Sequence, residues 1–301
     1  MSTSVFLTGS TGLIGASVLQ VIAKNPKYVV TVLVRSEQKA VKIAELLPGV
    51  KTVVGSLDDA ALLTETAANS DVVLQIAAFH VPGTTALLAG AKKRFEATGK
   101  APIFINTSGT GIWADLGANG AAPSRKVTKD TDSDLVQTFI ELPHTPPTMV
   151  GLEAAAAGYV KVFTVYPSTV WGEPSGPLFD SGVAHVGSIQ VPMLIKESIG
   201  RGQGGVVGEG LNVWNHVHID DTTDFYIYTE ILHAKGKSAS SVPTQFKQEE
   251  FAANSFLFFF GTNSTTEAPR SRSIGWAPKY TTDDFYPAVP KEVDAVLAGK
   301  R

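Results

Sequence analysis

The chain has 301 residues, 44% apolar and 18% charged, with a formal net charge of −3 and no cysteine. That length and apolar content suit a large folded domain, alone or with a smaller lobe, and argue against disorder. The charge balance, without any lysine- or arginine-rich run, argues against nucleic-acid and anionic-membrane partners, and the missing cysteines exclude disulfides, thiolate catalysis and cysteine-ligated metal.

No apolar stretch reaches the ~18 residues a membrane span needs. The N-terminus runs straight into a strand-like segment, which leaves no room for a signal peptide, so a soluble cytoplasmic protein is expected. In chain order, β-rich runs at Val5–Thr8, Val29–Val34, Lys51–Val54, Val72–Ile76, Ile103–Thr107 and Val162–Tyr166 predict strands. Helical patterns fall between them, near Gly12–Lys24, Glu37–Leu47, Asp58–Ala67, Thr84–Thr98 and Thr148–Gly158. Near-continuous apolar strands alternating with helices predict an α/β fold, a Rossmann-like doubly wound parallel sheet with helices on both faces. After Gly172 glycine and proline rise and helical runs shorten. The expected division is therefore a nucleotide-binding domain at 1–172 and a smaller C-terminal substrate lobe at 173–301, with a segment near 211–235 returning to the main domain.

The first strand leads into Thr8-Gly9-Ser10-Thr11-Gly12-Leu13-Ile14-Gly15 and then a helix. In this order Gly9 permits the tight turn, Gly12 leaves room for a pyrophosphate, and Gly15 lets the helix pack on the strand. Thr11, Leu13 and Ile14 complete a loop whose amides, with the positive end of the helix dipole, face the phosphates. A plain glycine-rich turn is the alternative, and the strand-to-helix setting argues for a dinucleotide instead. The second strand ends in Arg35-Ser36, where a carboxylate would select NAD(H). A guanidinium and a hydroxyl there suit a 2′-phosphate, so NADP(H) is favoured and NAD(H) is the second choice.

The spacing with Thr8 ahead of Gly9 resembles the TGxxGxxG pattern of the extended and atypical short-chain dehydrogenase/reductases, the superfamily of epimerases and dehydratases that use NAD. Further segments carry the resemblance. Gly55-Ser56-Leu57-Asp58-Asp59 is similar to the segment flanking the adenine, which implies roles for Ser56 and Leu57. Gln75-Ile76-Ala77-Ala78 is similar to the small-residue passage over the sheet edge, implicating Ala77 and Ala78. Tyr166-Pro167-Ser168-Thr169-Val170-Trp171-Gly172 is similar to the segment beside the nicotinamide, implicating Pro167, Thr169 and Val170. Trp214 to Asp221 resembles a strand-to-helix joint, Phe258–Gly261 a family strand, and Ile274 to Pro278 a C-terminal segment, with only Thr262–Ser273 between the last two. His216 and His218, with Asp220 and Asp221 beyond, are read as part of that joint, and no metal is expected.

The same resemblance implies a tyrosine–lysine pair spaced YxxxK, and none of the seven tyrosines has lysine four residues on. Aligning Leu152-Glu153-Ala154 with the residues after that lysine places Pro147 and Gly151 at the pair. The oxygen-orienting hydroxyl after the fifth strand is present as Ser108, with Thr110 as second choice. His144, just before the helix, is the leading substitute proton donor, in line with fungal relatives that carry histidine in place of the tyrosine. His80 and Tyr166 are further candidates. The expected function is reduction, oxidation or isomerisation of a small carbonyl- or hydroxyl-bearing metabolite. The alternatives are an NADP(H)-binding sensor like the NmrA-like proteins, without turnover, and a non-redox isomerase or lyase. Beyond the small-molecule substrate, the chain is expected to be a monomer or a homodimer.

Overall fold

The computed structural model describes residues 2–77, 79–124, 126–219, 244–273 and 276–301. Ala78, Asp220, Asp221, Ile274, Gly275 and most of the expected returning segment lie outside the described residues. Among those described, no helix is long and apolar enough to cross a membrane.

The chain forms two compact units. The first comprises residues 1–109, 141–166 and 174–186, and the second 110–140, 167–173 and 187–301. Where a single boundary near Gly172 was expected, the chain passes between units several times, and residues 211–219 fall in the second.

The first unit is built on six parallel strands: β1 (Thr3–Thr8), β2 (Tyr28–Val34), β3 (Lys51–Val54), β4 (Val72–Gln75), β5 (Ile103–Thr107) and β6 (Lys161–Val165). Their order in the sheet is β3-β2-β1-β4-β5-β6. Five helices alternate with them: α1 (Leu13–Ile22), α2 (Glu37–Leu46), α3 (Ala60–Ala68), α4 (Val81–Thr98) and α5 (Thr145–Ala156). This is the doubly wound arrangement expected from the alternation. β1 is apolar on both faces because both are covered, and Val5, Phe6 and Leu7 are all buried.

One core layer packs Phe6, Val73 and Phe104 of adjacent strands against Leu63 and Ala67 of α3, Leu87, Leu88 and Ala91 of α4 and Ala154 of α5. Leu87 and Phe104 are completely buried, and removing either side chain would cost about 2–5 kcal/mol. α5 starts at Thr145, three residues earlier than expected, because Pro146 and Pro147 occupy first-turn positions that need no amide hydrogen. The strand order reverses at β1, with β2 on one side and β4 on the other. In doubly wound sheets such a reversal, at the carboxyl ends of the strands, is where ligands bind.

In the second unit short parallel pairs replace the large sheet. Thr169–Trp171 pairs with His216–His218, Gly205–Val206 with Thr244–Gln245, and Thr128–Lys129 with Thr266–Glu267. Trp171, Ile195, Leu257, Val289 and Val293 form its core. The strand expected at Phe258–Gly261 is instead part of a 3-10 helix, Ser255–Gly261. Aromatic content suggested a strand there, but Leu257 and Phe260 must both reach one core at a spacing of three. Arg201 is the polar hub of this unit. Its guanidinium pairs with Glu250 at 2.6 Å, donates to the carbonyls of Gln203, Gly204 and Gln245, and lies over the Phe246 ring.

Candidate functional site

The turn after β1 gathers most of the expected nucleotide-binding residues. Gly9 has φ +81°, which glycine alone adopts without strain, and a β-carbon there would stand 2.8 Å from the Ala77 amide nitrogen. A β-carbon on Gly15 would lie 2.0 Å from the Gly9 carbonyl oxygen, so α1 meets the turn only through a bare glycine. Gly12 differs. Its backbone is extended, and a β-carbon would meet only the Gly9 oxygen at 3.5 Å, an ordinary contact. The protein itself therefore needs no glycine at this position. No side chain caps α1 and its first turn carries no acidic residue, so Leu13, Ile14 and Gly15 begin a helix whose end amides are open to an anion. Ser10 ties the turn to β2 by donating to the Leu33 carbonyl at 3.0 Å, and the Thr11 carbonyl accepts the His185 amide at 2.9 Å.

Along the same sheet edge, Arg35 is exposed at the end of β2 and makes no ion pair among the described residues. Ser36 caps α2, its hydroxyl accepting the Lys39 amide at 3.3 Å and keeping its own proton for another partner. After β3, the Ser56 hydroxyl accepts the Asp58 amide at 3.0 Å, and Leu57 packs on the core beneath α4. Ala77 abuts Gly9 as noted, and Ala78 lies outside the described residues. These residues present a glycine turn, an uncapped helix end and a free guanidinium, a set that fits the phosphates of a dinucleotide. Pro167, Thr169 and Val170 belong to the second unit. There the Pro167 carbonyl accepts the Thr110 amide, and Thr169 and Val170 lie on the strand beside His216 and Val217.

A second constellation forms where β5 ends and α5 begins, wholly within the first unit. Ser108 is buried, its amide held at 2.8 Å by the Val165 carbonyl of β6. Its hydroxyl lies 3.0 Å from that of Thr148, which sits in the second turn of α5 and is completely buried. Thr148 also contacts the His144 carbonyl at 2.7 Å and Asn106 Nδ2 at 3.3 Å. Neither Thr148 nor Asn106 was among the expected site residues. Their signal was available, since a polar residue on an otherwise apolar central strand requires a buried partner.

The His144 ring donates a hydrogen bond to the Gly109 carbonyl, and Nε2 is buried without a partner. Nδ1 is thus the donor, and Nε2 of the neutral ring offers a lone pair. Burial pushes the imidazole below its ordinary pKa, the Gly109 bond opposing only in part. The ring lies 5.6 Å, centre to centre, from Phe79, a largely exposed aromatic on the loop after β4.

Thr110 opens a 3-10 helix in the second unit, where its carbonyl accepts from Ser264. His80 is committed on both nitrogens: Nδ1 accepts the Gly83 amide as the cap of α4, and Nε2 meets Asp58 at 3.0 Å. Both ring nitrogens therefore already have partners within the protein. Burial pushes Tyr166 up to about 12, against the effect of Thr164, so it remains a protonated phenol. Among the described residues, no three histidine, aspartate or glutamate side chains are grouped to hold a metal.

The doubly wound sheet and its glycine turn define a pyridine-nucleotide-binding fold, and the chain belongs to the NAD(P)H-binding family. Residues 9–129 match a family model described as NAD(P)H-binding. An oxidase from Acremonium, ucsJ, is 31% identical over 248 residues, covering 80% of this chain and 69% of its own. An uncharacterised Saccharomyces cerevisiae protein is 27% identical over 246 residues, 78% of this chain and 72% of its own. Among solved structures, a dTDP-glucose 4,6-dehydratase from Bacillus anthracis in complex with NAD superposes with a TM-score of 0.65 at 16% identity, covering 99% of this chain and 98% of the other. The Bordetella bronchiseptica enzyme WbmH in complex with NAD+ gives 0.62 at 13% identity over the whole of both chains.

Proposed function

We propose that the protein is an NADP-dependent oxidoreductase that interconverts a hydroxyl and a carbonyl on a small metabolite. The nucleotide assignment rests above all on Gly12, a glycine the fold does not require and whose missing side chain leaves room for a pyrophosphate. Gly9 and Gly15 shape the cradle, and the first amides of α1 bind the phosphates. Arg35 and Ser36 hold the 2′-phosphate. Ser56, Leu57 and Ala77 line the adenosine half, and the likeness of residues 166–172 to the family segment beside the nicotinamide supports a cofactor role for Pro167, Thr169 and Val170. When bound, the nicotinamide ring supplies a hydride acceptor or donor.

The proton chemistry belongs to the chain. Ser108 binds the substrate oxygen. His144, neutral with its Nε2 lone pair unpartnered, accepts the hydroxyl proton as the hydroxyl becomes a carbonyl. The protonated ring returns it in the reverse direction, as microscopic reversibility requires. The resting protonation state favours the oxidative direction, and the oxidase among the relatives supports that preference. His144 fills the acid–base role without a YxxxK pair.

Calorimetric titration with NADP+, NADPH, NAD+ and NADH, followed by turnover assays with secondary alcohols and the matching ketones, tests the proposal. Tighter binding of the phosphorylated coenzymes together with alcohol oxidation is expected. Absence of binding by all four would overturn the whole reading. Tight binding without turnover on any alcohol or ketone would overturn the redox part and leave a sensor.

A further inference from the structure

Resting on the assignment of Ser108 to the substrate oxygen, we infer that Thr148 is a positioning residue whose hydroxyl sets whether Ser108 accepts or donates toward that oxygen. Thr148 Oγ1 carries one proton and two lone pairs. Three groups surround it: Asn106 Nδ2 at 3.3 Å, which can only donate; the His144 carbonyl at 2.7 Å, which can only accept; and Ser108 Oγ at 3.0 Å, which can do either.

The proton count allows two arrangements. In the first, Thr148 donates to the His144 carbonyl, the shorter contact, and takes Asn106 N–H on one lone pair. The other lone pair then receives the Ser108 proton, and Ser108 turns only lone pairs outward. In the second, Thr148 rotates its proton to Ser108 Oγ, and the Ser108 proton turns toward the substrate. The His144 carbonyl is not left bare, because it also accepts the Thr148 amide at 3.3 Å.

These two arrangements match the two ends of the proposed reaction. A hydroxyl arrives with a proton to give, and the first arrangement accepts it. A carbonyl or developing alkoxide has only lone pairs, and the second arrangement donates to it. Asn106, Ser108 and Thr148 are 1%, 7% and 0% exposed, so little water competes for these bonds. The Ser108 amide, fixed to Val165, keeps the pair in register on the rigid sheet. Thr148 acts through Ser108, and its rotation costs little because one hydrogen bond replaces another.

The test compares wild type with Thr148→Val, which keeps the shape and removes the hydroxyl, and Thr148→Ser, which keeps the hydroxyl. Turnover is read with NADP+ and 1-phenylethanol, cyclohexanol or 2-octanol, coenzyme affinity by NADPH titration, and the Ser108 rotamer from crystal structures of each protein. Thr148→Val should lose about tenfold in kcat, the worth of one neutral hydrogen bond, with KM and NADPH affinity within about twofold. Thr148→Ser should recover to within about threefold of wild type. Ser108 should hold one rotamer in wild type and Thr148→Ser and spread over several in Thr148→Val. If the valine variant fails to fold, Thr148→Ala carries the same reading. Wild-type kcat without the hydroxyl, or an unchanged single Ser108 rotamer, would overturn the inference. A wild type silent on all three alcohols would sink the redox proposal instead, and the rotamer comparison would still decide the role of Thr148.

Discussion

Replacing Gly12 with alanine separates what the turn does for the fold from what it does for a ligand. The new methyl would sit 3.5 Å from the Gly9 oxygen, and the backbone at φ −88°, ψ 169° accepts any residue. Losing unfolded-chain entropy stabilises by about 0.4–1 kcal/mol. Alanine is a poorer N-cap than glycine by a similar amount, which offsets the gain. The net change should lie within about 0.5 kcal/mol, a Tm shift of no more than about 2 °C. In the same protein Gly15→Ala would force a methyl to 2.0 Å from a backbone oxygen and should cost about 3 kcal/mol or more. Binding should behave in the opposite way. The Gly12 methyl fills the space of a pyrophosphate, and NADPH affinity should fall at least about tenfold, or 1.4 kcal/mol. Thermal unfolding and calorimetric titration of both variants give the two numbers. A Gly12→Ala protein with wild-type Tm and wild-type NADPH affinity would refute the claim that this glycine is bare for a ligand.

Arg35→Glu should weaken NADPH binding about tenfold or more while leaving NADH binding nearly unchanged, because on the proposed assignment the charge reverses only at the 2′-phosphate; equal losses for both coenzymes would remove Arg35 from the phosphate. His144→Ala should lower turnover by about 10²–10⁴ without altering coenzyme affinity, which single-turnover kinetics would read directly. Since the wild-type imidazole lies below its ordinary 6.5, alcohol oxidation should hold constant through the neutral range and decline only in acid. Burial also lowers His216 to about 3 and His218 to about 4, with Asp284 partly opposing at His218. Both rings are neutral when folded and would protonate near 6.5 when unfolded, so stability is complete above that pH and is lost as pH falls toward 4. Denaturant unfolding at a series of pH values should show this decline, and a His216→Gln, His218→Gln double variant should flatten it.

The nucleotide-binding half of the molecule was legible because its determinants are local. Strand period, glycine spacing and helix-start prolines each act within a few residues, and all six strands of the large sheet fall where the apolar runs place them. Phe258–Gly261 misled because aromatic content says nothing about which side chains must share a core. The Ser108–Thr148–Asn106 group was only half visible. Ser108 announces itself by following a strand, but its partner is 40 residues away in sequence. The state of His144 was equally out of reach, since burial and the Gly109 carbonyl set it and neither is written in the neighbouring residues.

The threading of the chain between its two units has a practical corollary. Residues 110–140 take their backbone partners from far downstream: Asp115 bridges Asn263, and Thr128–Lys129 zips onto Thr266–Glu267. Conversely, Gln20 of α1 binds the Leu178 amide and the Ser175 carbonyl in the piece 174–186. A gene fragment ending near codon 172 would strip partners from both units at once. Excising or exchanging either one requires moving three separate stretches of sequence together, so a single crossover there would divide the ladders of the second unit and the Gln20 bonds of the first.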